Sequence, residues 1–368
     1  MDPDENERQR PGRDIREEIA RNGPVSFARF MELALYAPGC GYYERPREIG
    51  RRGDFFSSVS VGPVFGGLLA FQFAQWLEKI APPARWQLAE AGAHDGQLAL
   101  DVLRWLRERR PNIFAGLEYW VIEPSPVRRA WQEQKLGKEF ANVKWAGGLG
   151  ELGSRRVRGI IFSNELLDAM PAHRLCWDAA GKQWLEWRVN WRENGFFWEK
   201  APMSKEAAAC LPDIPAGVEE VLPGEFVIEL SPAAIQWWTR AAASLDCGKL
   251  LTLDYGLDGD EWLRPERASG TLRAYAGHQI SGNLLASPGE QDLTAHVNFS
   301  LLRQAGERAG LRTEGVVRQS KFLTDVFQRS LADAAGFEEW TAAQVRQFQT
   351  LTHPEHLGHR FHALIQGR

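Results

Sequence analysis

Two acids and two glycines in this chain have the spacing of a nucleoside site. Glu90 ends a short apolar run that begins at Trp86, and the chain then breaks into Glu90-x-Gly92-x-x-x-Gly96 before a helical pattern from Leu98. A second apolar run, Glu118-Tyr-Trp-Val-Ile, ends in Glu123. Strand, glycine turn and helix in succession form a nucleotide-type unit: the glycines let backbone approach a ligand, and the helix start offers free N–H groups. A dinucleotide-dependent hydride-transfer enzyme would show Gly-x-Gly-x-x-Gly, with an acid about twenty residues on. Here an acid stands just before the first glycine. Such a carboxylate can pair with an ammonium, directly or through water, and Glu123 can accept from a vicinal diol. No pyrophosphate has to be neutralised, so no tight phosphate cradle is needed. The combination suits a sulfonium nucleoside. A tight turn holding another ligand in an α/β protein fits the glycine spacing as well.

Further polar residues stand where transfer chemistry would need them. Asn164-Glu165-Leu-Leu-Asp168 follows a third apolar run, Val157 to Ser163. Glu165 and Asp168 are three apart, so on a helical turn they would share a face. Asp254 ends another strand-like run, and Glu290, Asp292 and His296 lie in Gly289-Glu290-Gln-Asp292-Leu-Thr-Ala-His296. Plainer duties exist for each: Asn164 or Asp168 can cap a helix, Asp254 can end a strand, and His296 can be a satisfied core histidine.

The elements that must position these residues alternate. Asp14 to Leu35 reads as helical, with Pro24-Val-Ser26 as a helix start, and Pro63 to Ile80 as a helix. Strands at Trp86, Glu118, Val157 and Lys249–Gly256 alternate with helices at Leu98–Arg109, Ser125–Leu136 and Ser231–Leu245. This predicts an α/β fold with a doubly wound, mainly parallel sheet. Arg174 to Glu199 alternates apolar and polar residues around Asn194-Gly195, the pattern of a β-hairpin. Leu211 to Gly224 reads as a proline-bearing connector and Gly270 to Asp292 as irregular. A helix over Asn298–Gly310, a strand over Leu311–Arg318, a largely helical Leu323–Leu351 and a strand at Phe361–Ile365 complete the chain. The division is 1–80 as an N-terminal helical and loop extension contributing to the site, 81–171 as the first half of the α/β domain, 172–225 as the hairpin insertion, and 226–368 as the second half.

Composition narrows the partners. With 44% apolar and 25% charged residues and a net charge of −4, the chain can bury a sizeable core and gives no general reason to expect nucleic acid. Four cysteines without a CxxC pair argue against a zinc knuckle, and no metal site is expected. Met1 to Arg21 is dense in acids and arginines. It reads as a disordered or loosely helical lead-in, neither a secretory signal nor a good mitochondrial presequence, which points to the cytoplasm. Phe55 to Leu77 is uncharged, but its serines, Pro63, Gln72 and Gln75 make it a buried helix in place of a membrane span. Arg45, Arg47, Arg51 and Arg52 read as a solvated face, and the tryptophans of the hairpin as packing unless exposed.

Several longer segments occur in one order: Gly53-Asp54-Phe55, Glu90-x-Gly92-x-x-x-Gly96, Val121-Ile-Glu123-Pro-Ser-Pro126, Ser163-Asn164-Glu165-Leu-Leu-Asp168-Ala-Met-Pro171, Leu253-Asp254-Tyr255-Gly256 and Gly289 to Val297. Together they resemble the MidA-like family of methyltransferases, that of the mitochondrial complex I assembly methyltransferase and its bacterial relatives. The likeness runs from about Pro24 to the C-terminus. It implies a Rossmann-like class I methyltransferase fold and S-adenosyl-L-methionine as cofactor. It assigns Asp54, Glu90, Gly92, Gly96, Glu123 and Asn164 to cofactor binding. For the mitochondrial relative it further implies symmetric dimethylation of an arginine on a respiratory-chain subunit, so a protein substrate of that kind is the expected partner. A guanidinium is protonated in water and a poor nucleophile, so its site needs carboxylates that hold the fork and take a proton. Asn164, Glu165, Asp168 and His296 are the expected catalytic group, with Asp254, Glu290 and Asp292 binding substrate. In the first turn Ala93-His94-Asp95 replaces the family's usual Gly-Pro-Gly-x-Gly pattern. That departure motivates an alternative: a catalytically weak or inactive scaffold that keeps the fold.

Overall fold

Short apolar runs separated by helices with one apolar face can bury both faces of a sheet only by winding the helices onto either side. The computed structural model of the chain takes this solution. It describes residues 11–45, 57–80, 85–152, 156–193, 195–215, 217–276, 279–333 and 336–368. Its strands are β1 (Val25–Ser26), β2 (Trp86–Ala91), β3 (Leu117–Ile122), β4 (Val143–Ala146), β5 (Val157–Asn164), β6 (His173–Asp178), β7 (Gln183–Arg192) and β8 (Gly195–Pro202). They continue as β9 (Val227–Leu230), β10 (Leu245–Leu257), β11 (Arg273–Ala276), β12 (Gln279–Ser281), β13 (Asp292–Thr294), β14 (Val297–Asn298), β15 (Arg312–Arg318) and β16 (Phe361–Gly367). The described residues fall into two compact units. One draws on Phe56–Leu167, Trp237–Gly256 and Leu302–Arg368, the other on Met1–Phe55, Asp168–Gln236 and Leu257–Leu301.

The first unit carries the central sheet, in the order β15-β16-β10-β5-β2-β3-β4. β10, β5, β2, β3 and β4 are parallel neighbours, whereas β16 enters between β10 and β15 and is antiparallel to both. Between β2 and β5 the direction of winding reverses, and such a switch point opens a crevice at the carboxyl ends of the strands. The register sets Glu90 beside Phe162 and Ala91 beside Ser163, so the end of β2 and the end of β5 share that edge. The helix Val64–Leu77 is apolar around nearly its whole circumference and is buried on most faces. Phe73 from this helix packs against Phe162 of β5, ring centres 4.8 Å apart. Each such phenylalanine removed from water contributes about 1.5–3 kcal/mol. Gly66 is needed there, because a Cβ would lie 2.5 Å from Cβ of Asp101 on the helix Gln97–Arg109.

The second unit is mainly antiparallel. Its larger sheet runs β1-β7-β6-β9 with β8 paired to β7, and a smaller one runs β12-β11-β13. The β7–β8 hairpin forms over Gln183–Pro202 as the alternation predicts; Asn194 of its turn lies outside the described residues. Its aromatic residues pack inward on the helix Phe27–Tyr36: Phe27 meets Trp198 at 5.1 Å and Phe30 meets Phe196 at 5.5 Å. Trp191 and Trp198, half-buried, therefore pack on the core of the unit.

Two expectations are corrected and two are sharpened. Asn164 ends β5 and Glu165–Asp168 is a non-helical turn, because Glu165 adopts φ +51° and breaks the helical path. Gly270–Asp292 contains two strands and leads into a third, a pairing that short segments reveal only once their partners are adjacent. Leu323–Leu351 lies across two helices, Gln319–Leu331 and Ala342–Thr352; a Thr341/Gln344 capping box restarts the second. Of the lead-in, Met1 to Arg10 lie outside the described residues, and the rest belongs to a helix from Pro11 to Asn22, held by buried Ile15 and Ile19.

Candidate cofactor site at the switch point

The first turn is built by backbone that only special residues tolerate. Gly92 and Gly96 have φ of +76° and +85°, and a Cβ on Gly92 would come within 2.9 Å of Leu166 Cδ1. His94, between them, also has positive φ, +47°, an uncommon conformation for a residue with a Cβ. The turn is held from outside. Asp95 accepts from the Gln97 backbone N–H at 3.1 Å and pairs with Lys135. Burial disfavours the Asp95 charge, but His94 and Lys135 outweigh it and keep this carboxyl below the usual carboxylate range.

Glu90 is 2% exposed, and its Oε2 accepts from the Tyr119 hydroxyl at 2.5 Å. Desolvation pushes the Glu90 carboxyl up to about 7; the Tyr119 bond pulls the other way, and nearby Asp95 adds repulsion. Tyr119 is itself raised well above its ordinary value, by burial first and by Glu90 second. Glu123, 3% exposed, follows β3. Its Oε1 accepts from the Ser125 N–H at 2.9 Å and from Arg128 at 2.8 and 3.0 Å, and its Oε2 from Gln132 at 3.2 Å. Ser125 caps the helix Pro126–Leu136, and this helix brings Arg128 and Gln132, four apart, to one face beside Glu123.

At the end of β5, Asn164 is 8% exposed. Its Nδ2 donates to Glu165 Oε1 at 2.9 Å, while its Oδ1 is buried without a hydrogen-bond partner among the described residues. Glu165 Oε1 also accepts from the Ser58 backbone N–H at 2.9 Å, and the Glu165 N–H donates to the Leu253 carbonyl at 2.9 Å. Asp254 shapes this turn. It is fully buried; Oδ2 accepts from the N–H groups of Leu166 and Leu167 at 3.1 and 2.8 Å, and Oδ1 from that of Tyr255 at 2.8 Å. Both oxygens of Asp254 thus already serve backbone. Glu90, Gly92, Gly96, Glu123, Asn164, Glu165 and Asp254 all belong to the unit of the central sheet.

Asp168, Glu290, Asp292 and His296 belong to the other unit and gather within it. The Asp168 carbonyl accepts from the Ala295 N–H at 2.9 Å, and Asp292 Oδ1 from the Tyr43 hydroxyl at 2.7 Å. Tyr43 stacks at 5.6 Å on Tyr36, whose hydroxyl donates to the Ala169 carbonyl at 2.9 Å. Glu290 pairs with Arg45 at 2.6 Å, and the His296 N–H donates to Thr271 Oγ1 at 3.1 Å. Burial raises the Tyr43 hydroxyl well above its ordinary pKa, with Asp292 contributing next. Asp54, Arg47, Arg51 and Arg52 lie outside the described residues.

Sequence reasoning passed over Ser58, Tyr119, Arg128 and Gln132. The one available signal was the four-residue spacing of Arg128 and Gln132 on a helix that begins just after Glu123. Ser58 and Tyr119 carried none, since only the folded chain brings them to Glu165 and Glu90. In kind, the site offers two buried carboxylates, a glycine turn and, among the described residues, a buried amide oxygen without a partner. This set fits a ligand that brings a cation and several hydrogen-bond donors, as an S-adenosyl amino acid does. Among the described residues no helix is long and apolar enough to cross a membrane.

Comparison with known proteins agrees with the chemistry. A crystal structure from Burkholderia thailandensis, bound to S-adenosyl-homocysteine, is 30% identical to this chain with a TM-score of 0.82; the likeness covers 97% of this chain and 92% of that one. A native structure from the same organism gives 28% and 0.80, covering 97% and 91%. The mouse protein arginine methyltransferase NDUFAF7, mitochondrial, is 28% identical over 94% of this chain and 81% of its own length. Its Drosophila melanogaster homolog is 26% identical over 94% and 82%. These relatives are mitochondrial by name, which overturns the cytoplasmic expectation. The charge content of a leading segment reports its folding preferences and does not fix a compartment. The family model for S-adenosyl-L-methionine-dependent methyltransferases matches residues 68–317, and this chain belongs to that family.

Proposed function

We propose that the enzyme methylates an arginine side chain of a protein, and that Glu165 is its proton acceptor. The observation that carries this reading is the carboxylate of Glu165 on the switch-point edge. It sits in a left-handed backbone conformation and is gripped by Ser58 and Asn164. A strained residue held by several independent bonds is a frequent mark of a functional position. The names of the mouse and fly relatives support the arginine acceptor. The family resemblance supports a respiratory-chain subunit as the protein that bears it.

In this reading Glu90 takes the cofactor's ammonium, Glu123 its ribose hydroxyls, and Gly92 to Gly96 the backbone approach. Asp54 keeps the cofactor role suggested by its Gly-Asp-Phe setting. The bound cofactor supplies an electrophilic methyl group on a positively charged sulfur. The acceptor nitrogen forms the new N–C bond as the C–S bond breaks, and its proton passes to the Glu165 carboxylate. Asn164 orients that nitrogen through Oδ1. Asp254 acts through the backbone of Leu166 and Leu167 by fixing the turn that aims Glu165. Asp168 and His296 remain catalytic candidates, and Glu290 and Asp292 candidates for holding the guanidinium fork.

The test is mass spectrometry of a mitochondrial protein extract incubated with the enzyme and isotope-labelled S-adenosylmethionine. Label on arginine, lost with Glu165→Gln, is the expected result. Label confined to lysine or to small molecules overturns the arginine acceptor.

A further inference from the structure

Gln132 lies wholly inside the protein on the helix Pro126–Leu136, yet its side chain is polar at both ends. Its Nε2 makes two bonds, to the His94 carbonyl at 2.9 Å and to Glu123 Oε2 at 3.2 Å. Both neighbours are acceptors, and this fixes the amide's orientation. Turned round, Oε1 would face a carbonyl and a carboxylate. Held this way, Oε1 is buried with no hydrogen-bond partner among the described residues. A buried acceptor left unmade carries an uncompensated desolvation cost, so the chain bears a standing penalty that a donor could relieve. The same helix presses on the turn: a Cβ on Gly96 would meet Leu136 Cδ1 at 3.1 Å and Gln132 Cα at 3.7 Å.

We infer that Gln132 is a positioning residue that couples the two halves of the cofactor site. One amide group ties the carbonyl of the strained His94 to the carboxylate of Glu123. The shape of the glycine turn and the aim of the ribose acid are therefore set together. The unpartnered Oε1 is the acceptor reserved for a donor that arrives with the nucleoside at Glu123. Arg128 cannot replace it. Arg128 binds the opposite oxygen of Glu123 and offers only donors. The inference rests on reading Glu123 as the ribose acid.

The experiment is calorimetric titration of the full chain with S-adenosylhomocysteine and with its analogue lacking the ribose 2′-hydroxyl. Wild type, Glu123→Gln, Gln132→Leu and Gln132→Glu are compared. Loss of a hydrogen bond to a charged partner predicts at least about tenfold weaker S-adenosylhomocysteine binding in both Gln132 variants. That loss is expected to shrink to less than about threefold with the deoxy analogue, as additivity fails only for groups that interact. A folded Gln132→Leu protein that binds as wild type does overturns the inference, and so does an equal loss for both ligands. Gln132→Glu preserves shape and decides by the same two numbers should the leucine variant not fold. If Glu123→Gln itself leaves binding unchanged, the ribose reading has failed. If Glu123→Gln weakens binding and the Gln132 variants do not, only the coupling has failed.

Discussion

Burial beside Tyr119 lifts the Glu90 carboxyl to about 7, so its charge changes across the physiological range. Its folded pKa lies above the unfolded value of 4.5, which fixes the sign of the linkage. Its contribution to stability is fully present below the unfolded pKa and is lost as pH rises through about 7, where the ionised group costs on the order of 3 kcal/mol. Glu90→Gln should accordingly gain on wild type between pH 5 and pH 8, as read by urea denaturation at the two pH values. Equal gains at both would refute the assignment. Binding has the opposite sign, because an ammonium needs the carboxylate ionised. Below pH 7 the Kd for S-adenosylhomocysteine should rise about tenfold per pH unit, with proton release on binding, and Glu90→Gln should abolish the pH dependence. Titration in buffers of different ionisation enthalpy measures that release directly.

In the proposed reading the chemistry depends on the turns after β2 and β5, and each is held by backbone in an uncommon conformation. Gly92→Ala would place a Cβ at φ +76° and 2.9 Å from Leu166. Strain of this kind costs about 1–3 kcal/mol, and the variant should lose thermal stability and S-adenosylhomocysteine affinity together. Asp254→Ala removes the acceptor of the Leu166 and Leu167 N–H groups. A destabilisation of about 1–3 kcal/mol is expected, with faster hydrogen exchange at these two amides. Unchanged exchange would mean that Asp254 does not hold the turn. The helix Pro126–Leu136 has a comparable duty toward Glu123. Its start was legible from Ser125-Pro126, whereas its reach back to His94 was not, because that bond joins residues far apart in the chain.

At the scale of the molecule, ligand binding and folding of the central-sheet unit are linked. S-adenosylhomocysteine at about a hundred times its Kd should stabilise the protein by about 2.7 kcal/mol, seen as a rise of a few degrees in the melting temperature. Glu165→Gln should retain that shift, since the reading assigns Glu165 to the acceptor, while losing at least about a hundredfold in arginine methylation. If the shift is lost with Glu165→Gln, this residue belongs to the cofactor site instead. The division of the chain into two units explains why the expected residues separate into two sets. Asn164 and Glu165 close one stretch of the sheet-bearing unit, and Asp168 opens a stretch of the other only three residues later.

The sequence by itself determined the parallel core, the cofactor class and the order of the candidate site residues along the chain. Strand periodicity, strand-end acids and glycine spacing are local properties that survive in one dimension. Glu90, Gly92 and Gly96 could therefore be named from a dozen consecutive residues, and Ser125-Pro126 marked its helix start to the residue. Tertiary structure decided the rest. It chose a turn over a helix at Glu165, because Asp254 and Leu253, some ninety residues away, supply the partners that offset its positive φ. It set β16 antiparallel between β10 and β15, since the register of a C-terminal strand depends on which edge remains open. It also gave Tyr119, Arg128 and Gln132 their duties beside the two acids. Those duties arise from burial and from hydrogen bonds between distant segments, which the order of residues along the chain does not express.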